Sequence, residues 1–245
     1  MKSKDKLKLG ILSVAITFGL VIAACNKNID ATSNKSYLSA TNLSPNAPPL
    51  KIVFELTDTL TGSTDLVYDS TTGIPGNPYL TAVAGIHNLQ LLGDNGVKYV
   101  DGNIGLIINN HYSLFIYDSV TSSNTVNTLI LQDVLNPVAD TSASVRFLNF
   151  SSNTPYIYIQ MDGLKDTFLL GGRSYPYVGI NHTPALVTNN NIITAGTYHM
   201  VATVDNTSYY DLGFLTFAGS KIYTIYTKSP MDSTATNTVD VIQNK

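Results

Sequence analysis

The sequence predicts an all-β chain of two tandem Ig-like or transthyretin-like antiparallel β-sandwich domains. Three observations lead there. Helix-favouring charged residues are scarce: Glu55 is the only glutamate, Arg146 and Arg173 are the only arginines, and charged residues make up 13% of the chain. Thr, Tyr and Asn take their place, residues suited to strands and turns. Apolar and polar residues alternate with the period of two that marks a strand with one buried face. Finally, three blocks return in order. Asn42-Leu43-Ser44-Pro45-Asn46-Ala47-Pro48 returns as Asn149-Phe150-Ser151-Ser152-Asn153-Thr154-Pro155, 107 residues on. Ala84-Gly85-Ile86-His87 returns as Ala195-Gly196-Thr197-Tyr198, and His111-Tyr112-Ser113-Leu114-Phe115 as Ile222-Tyr223-Thr224-Ile225-Tyr226, each 111 residues on. This period is too long for a solenoid repeat of roughly 20–50 residues.

The chain opens with Lys2, Lys4, Lys6 and Lys8, then an apolar run from Leu9 to Ala24 ending in Val21-Ile22-Ala23-Ala24-Cys25. A basic head, an apolar middle and a small-residue cut site make a secretory signal. The cysteine at the cut site resembles a lipobox, so residues 1–24 are expected to be removed and Cys25 to be acylated. The run is short for an uncut membrane span of about 20 residues, and Ser13, Thr17 and Gly19 interrupt it. Residues 25–35 then carry the lipidated cysteine and a polar, aperiodic tether, expected to be flexible. Ten such coil residues span roughly 17–19 Å.

The first sandwich is expected over 36–134, a linker over 135–141, where Asn136-Pro137 breaks any strand, and the second sandwich over 142–245. In the first, Ile52, Phe54 and Leu56 share one strand face. In the second, Ile157, Ile159 and Met161 do so, followed by the turn dipeptide Asp162-Gly163. Tyr198, Met200, Ala202 and Val204 form the buried side of another strand. Gly73 to Pro78, Asp94-Asn95-Gly96, Asp101-Gly102 and Asp205-Asn206 mark turns. Tyr112 and Tyr223, at equivalent places, read as structural corner tyrosines.

These blocks resemble the bacterial domain-of-unknown-function family 4397, whose members open on a strand of the type V-R-x-x-x-x-S-P-x-A-P. Asn42 to Pro48 matches that opening, and Val145-Arg146-Phe147-Leu148-Asn149 with Asp162-Gly163 matches it in the second copy. A later A-G-x-Y strand and a Tyr-Thr-rich strand resemble Ala195-Gly196-Thr197-Tyr198 and Tyr223-Thr224-Ile225-Tyr226. Ser152 departs from the pattern where proline is usual. The first copy has no arginine on its opening strand. The resemblance implies an exported, often anchored β-sandwich protein with no catalytic residues to transfer. The lysine-headed, asparagine-rich lipoprotein type is similar to that of the Bacteroidota, in which many such proteins sit in the outer membrane.

Composition narrows the partners. Without residues 1–24 the chain has 10 basic and 16 acidic residues, a net charge of −6. No basic patch favours a nucleic acid, and the lipid anchor at Cys25 must supply the membrane contact. Cys25 is the only cysteine, so no internal disulfide forms. His87, His111, His182 and His199 make no metal-ligand pair; His87 reads as a half-buried strand residue. Asp94-Asn95-Gly96 and Asp101-Gly102-Asn103 lack the spacing of a calcium loop. There is no nucleophile elbow and no phosphate loop, so neither an enzyme nor a cofactor is expected. Asp58-Thr59-Leu60, Asp118-Ser119-Val120 and Asp232-Ser233-Thr234 resemble short O-glycosylation acceptors.

Tyrosine is the one enriched recognition residue, 15 against no tryptophan. Tyr156, Tyr158, Tyr175, Tyr177, Tyr209 and Tyr210 gather in the second copy. Tyr156 and Tyr158 share the strand face opposite Ile157 and Ile159, making them the candidate ligand-binding residues for a glycan or protein partner. The expected function is a non-catalytic, lipid-anchored envelope protein with a structural, adhesive or ligand-binding display role. The alternatives are a glycan-binding accessory protein of a surface polysaccharide-uptake system, or a fimbria-like assembly subunit.

Overall fold

The structure, a computed structural model, describes residues 34–54, 58–59, 65–136, 138–152, 156–164, 166–174, 185–186, 191–204, 208–228 and 239–245. Cys25, the signal segment and most of the expected tether lie outside these residues. All regular elements among the described residues are strands. The first half contains β1 (Lys35–Asn42), β2 (Leu50–Phe54), β3 (Asp58–Thr59), β4 (Ser70–Thr71), β5 (Leu80–Val83), β6 (Gly85–Gly93), β7 (Lys98–Leu106), β8 (His111–Tyr117) and β9 (Asn127–Asp133). The second contains β10 (Ser142–Phe150), β11 (Tyr156–Gly163), β12 (Thr167–Ser174), β13 (Ala185–Leu186), β14 (Asn191–Thr194), β15 (Gly196–Val204), β16 (Ser208–Phe217), β17 (Ile222–Lys228) and β18 (Val239–Gln243).

Strand pairing recurs between the halves. β1 runs parallel to β8 and antiparallel to β5; β10 runs parallel to β17 and antiparallel to β14. The order β3-β2-β6-β7 in one sheet is matched by β12-β11-β15-β16 in another. Each half is thus an inner sheet facing an outer sheet. β13 crosses over to pair with β9, on the inner sheet of the first half.

The corner tyrosines close the same turn in both halves. Tyr112 Oη accepts from the Ile107 amide at 2.8 Å, and Tyr223 Oη accepts from the Ala218 amide at 3.0 Å. Asn42 Oδ1 accepts from the Ser44 amide, and Asn149 Oδ1 from the Ser151 amide. The Asp94-Asn95-Gly96 stretch forms the β6–β7 hairpin turn, with Gly96 at φ 73° and Asn95 Oδ1 accepting from the Val97 amide. A positive φ there suits glycine, which has no Cβ to clash.

Alternation shows clearly in the outer strands. In β15, Tyr198, Met200, Ala202 and Val204 are buried while the intervening residues are more exposed. The inner strands differ from the one-buried-face expectation. β10 after its first residue, and all of β17, are buried on both faces. The reason is back-to-back packing of the two inner sheets. Leu38, Leu114 and Ile116 face the first sandwich core, and Val145, Phe147 and Ile225 face the second. The alternate residues Phe115, Leu129, Leu131, Leu148, Phe150 and Tyr226 form a third core between the inner sheets. Lys35–Lys245 is accordingly one compact unit of four β layers.

Candidate functional site

Among the described residues, the junction between the inner sheets holds the most buried charges. Arg146 from β10 pairs with Asp133 from β9, both nearly inaccessible to water. Its Nε donates to Thr224 Oγ1 at 2.7 Å and its Nη2 to Ser113 Oγ at 3.1 Å. Asp133 Oδ2 also accepts from Ser113 Oγ at 2.6 Å and from Tyr79 Oη at 2.7 Å. Asn244 Nδ2 donates to Tyr79 Oη, and Thr224 Oγ1 donates to Asn244 Oδ1, which closes the ring. Burial and the adjacent Asp133 carboxylate push the Tyr79 phenol far above its ordinary value, so it stays a donor. A buried ion pair is tolerable only when every remaining lone pair and proton finds a partner. Residues of both halves supply partners for both Asp133 oxygens and for three of the five Arg146 N–H groups, so the network reads as a structural clamp. Lys228 adds a second tie, pairing with Asp69 of the first half and Asp240 of its own.

The exposed chemistry lies on the outer face of the β12-β11-β15-β16 sheet. Inward residues of β11 pack the core, which leaves Tyr156, Tyr158 and Gln160 pointing outward. Tyr156 and Tyr158 meet edge to face with centroids 4.8 Å apart. Their hydrogen bond raises the Tyr158 phenol above its ordinary value. Register places Tyr158 opposite Thr203 and Thr203 opposite Tyr209. The two tyrosines therefore stand two strand spacings apart, roughly 10 Å. Tyr209 and Phe214 are 72% and 73% exposed, unusual for such large aromatic side chains.

Polar groups interleave with the rings. His199 Nε2 lies 2.8 Å from Asp211 Oδ1, and its ring packs 5.0 Å from Phe214. The Gly213 amide and His199 together hold the Asp211 carboxyl below the usual carboxylate range. Gln160 Nε2 donates to Asp162 at 2.9 and 3.0 Å.

The equivalent sheet of the first half shows what this surface is like without aromatics. The row Lys51–Leu92–Lys98 stands where the second half has Tyr158–Thr203–Tyr209. Asn88–Asn103 stands where it has His199–Phe214, and Gln90–Asp101 where it has Val201–Asp211. Lys98 and Asn88 both bind Asp101, lowering its carboxyl pKa, and Lys51 lies 3.8–3.9 Å from Asp65 and Asp94. One backbone pattern thus carries a charged, solvated face in the first half and an aromatic face in the second.

The structure brings the sequence candidates Tyr156 and Tyr158 together and adds Tyr209 beside them. Tyr210 turns toward the core. Tyr175 and Tyr177 lie outside the described residues. His199, Asp211 and Phe214 join the face although no local sequence pattern marks them as site residues. Laying the second half on the first at a spacing of 111 would have exposed the Asn103-to-Phe214 exchange. His87 is half-buried against Phe54, with ring centroids 5.4 Å apart. Among the described residues no group of three or more His, Cys, Asp or Glu side chains is arranged to hold a metal.

Fold and surface together define an all-β sandwich protein with an aromatic-lined sheet face. The model of the family described as "Domain of unknown function (DUF4397)" matches residues 36–160, just over half of the chain. The chain belongs to that family. No curated protein matches it. Among solved structures, it is similar to a module of family CBM26 from Eubacterium rectale, crystallised with maltoheptaose, at 11% identity and a TM-score of 0.24. That alignment covers 85% of this chain and 97% of the other.

Proposed function

We propose that this protein is a non-catalytic envelope lipoprotein, anchored by acylated Cys25 in an outer membrane of the Bacteroidota type. Its second half is a second copy of the DUF4397 domain, and the aromatic face of that copy captures a glycan. Recurrence of the sequence blocks and of the strand pairing supports the two-copy reading. The single observation that carries the binding reading is the replacement of Lys51, Lys98 and Asn103 by Tyr158, Tyr209 and Phe214 at matching register positions. Water solvates lysine and asparagine freely, whereas large exposed aromatic surface marks a place where something else docks. A pyranose has an apolar C–H face and a hydroxylated edge. Tyrosine and phenylalanine rings receive the first; Asp211, His199, Gln160 and Asp162 offer partners to the second. A purely apolar protein partner would strip water from those carboxylates and offer their free lone pairs no hydrogen bond in return.

Affinity electrophoresis through gels containing starch, xylan, mannan or pectin tests this. The full chain should be retarded by at least one of them, and Tyr156→Ala with Tyr158→Ala should restore free migration. Loss of a central aromatic anchor costs on the order of 2 kcal/mol, more than tenfold in Kd. Free migration of the unaltered chain in every gel would refute the reading. Anchoring is tested separately by impermeant protease on intact cells, with Cys25→Ser as the control.

A further inference from the structure

We propose that one end of the first half seats on the lipid surface, with Val83, Ile86, Ile107 and Ile108 entering the headgroup region. This rests on the reading of Cys25 as the lipidated anchor. Four aliphatic side chains are exposed there: Ile86 at 78%, Val83 at 61%, Ile107 at 60% and Ile108 at 40%. Val83 and Ile86 flank the turn joining β5 to β6, and Ile107 and Ile108 lie in the neighbouring turn joining β7 to β8. Lys35, where β1 begins, ties the turns together: it pairs with Val83, and its carbonyl accepts from the Asn109 amide at 2.7 Å. No acidic residue occurs in 83–86, in 107–110 or at residue 35.

The occupant follows from the covalent path. Lys35 lies ten positions after Cys25. At about 3.3–3.6 Å per step these ten steps reach at most roughly 35 Å, so an acylated Cys25 keeps this end within that distance of the bilayer. Aliphatic side chains beside a lysine, with no carboxylate, suit the acyl–headgroup boundary. The matching positions of the second half are Thr194, Thr197, Ala218 and Gly219, and there the Thr197 and Thr216 hydroxyls hydrogen-bond to each other at 2.8 Å. The four-residue set therefore occurs at the end where the anchored segment enters, and the four matching positions of the other half are polar or small.

The test uses the full chain isolated from envelopes and placed in phosphatidylethanolamine–phosphatidylglycerol vesicles. Ile86→Cys and, separately, Thr197→Cys carry an environment-sensitive fluorophore, and mass spectrometry reads the acylation of Cys25. The probe at residue 86 should shift to the blue and be quenched several-fold more by nitroxide-labelled lipid than the probe at 197, which should answer to aqueous iodide. An acylated protein whose residue 86 is as open to iodide as residue 197 overturns this proposal and leaves the anchor intact. Unmodified Cys25 overturns both. Protection of residue 86 from iodide without quenching by labelled lipid assigns the patch to a second copy or another protein, and also overturns it.

Discussion

Arg146 shows how a single residue sets the architecture. It is one of two arginines in the chain, and it sits almost wholly buried, hydrogen-bonded to Asp133, Thr224 and Ser113. Arg146→Ala should lower stability by about 3–5 kcal/mol, because Asp133 is left charged in a dry junction. Urea unfolding reads this, and removing Asp133 as well should cost less than the two single changes added together. Its partner was not legible in the sequence: Asp133 lies across the junction on β9. His111 carries the pH dependence. It stacks on Tyr37 at 4.5 Å and meets the edge of Tyr79 at 4.8 Å. Burial there lowers its pKa below the ordinary value of 6.5, the Asp133 charge opposes this in part, and Lys245 reinforces it. Below pH 6.5 the unfolded state therefore binds a proton that the folded state resists, so stability falls as pH drops through that range. His111→Phe should flatten the unfolding midpoint between pH 5 and 7; an unchanged slope would assign the effect elsewhere.

At the scale of elements, the repeat governs what the sequence revealed. Tyr112 and Tyr223 were readable as equivalent corner residues because each precedes alternating apolar positions in a recurring block. Each should lose about 1–3 kcal/mol on replacement by Phe, since the Ile107 or Ala218 amide loses its acceptor. Similar losses in denaturant unfolding would bear out the equivalence, and a loss in one half alone would contradict it. The inner strands were harder. Ser113, Thr224, Arg146 and Lys228 look like solvent-facing residues, so β8, β10 and β17 read as half-buried strands. Only packing against another sheet makes those polar positions interior, and that partner lies more than a hundred residues away in sequence for some pairs. The aromatic face was legible at Tyr156 and Tyr158, two positions apart on one strand. Tyr209 and Phe214 join it only through the β15–β16 register, which includes a bulge between Met200 and Val201. A bulge of this kind shifts which side chains face out, and no local pattern announces it.

Across the whole molecule, four stacked β layers bind the two halves into one folding unit. The shared core and the Arg146–Asp133 clamp imply a single cooperative unfolding transition. Phe150→Ala, made in that shared core, should destabilise by about 3–5 kcal/mol and move the whole transition. Calorimetry resolving two independent transitions would refute the shared-core account. The stack also separates tasks. The inner layers hold the halves together, one end of the first half carries exposed aliphatic side chains beside the chain's entry, and the outer sheet of the second half presents aromatic rings. The central claim is that this last surface, rather than sheet composition in general, confers binding. Exchange of the two faces tests it most directly: Tyr158→Lys with Tyr209→Lys in one full-length variant, and Lys51→Tyr with Lys98→Tyr in another, each run through the polysaccharide that retards the unaltered chain. The account expects the first variant to migrate freely at unchanged stability and the second to be retarded at least as strongly as the unaltered chain. Retardation that survives Tyr158→Lys with Tyr209→Lys would contradict it.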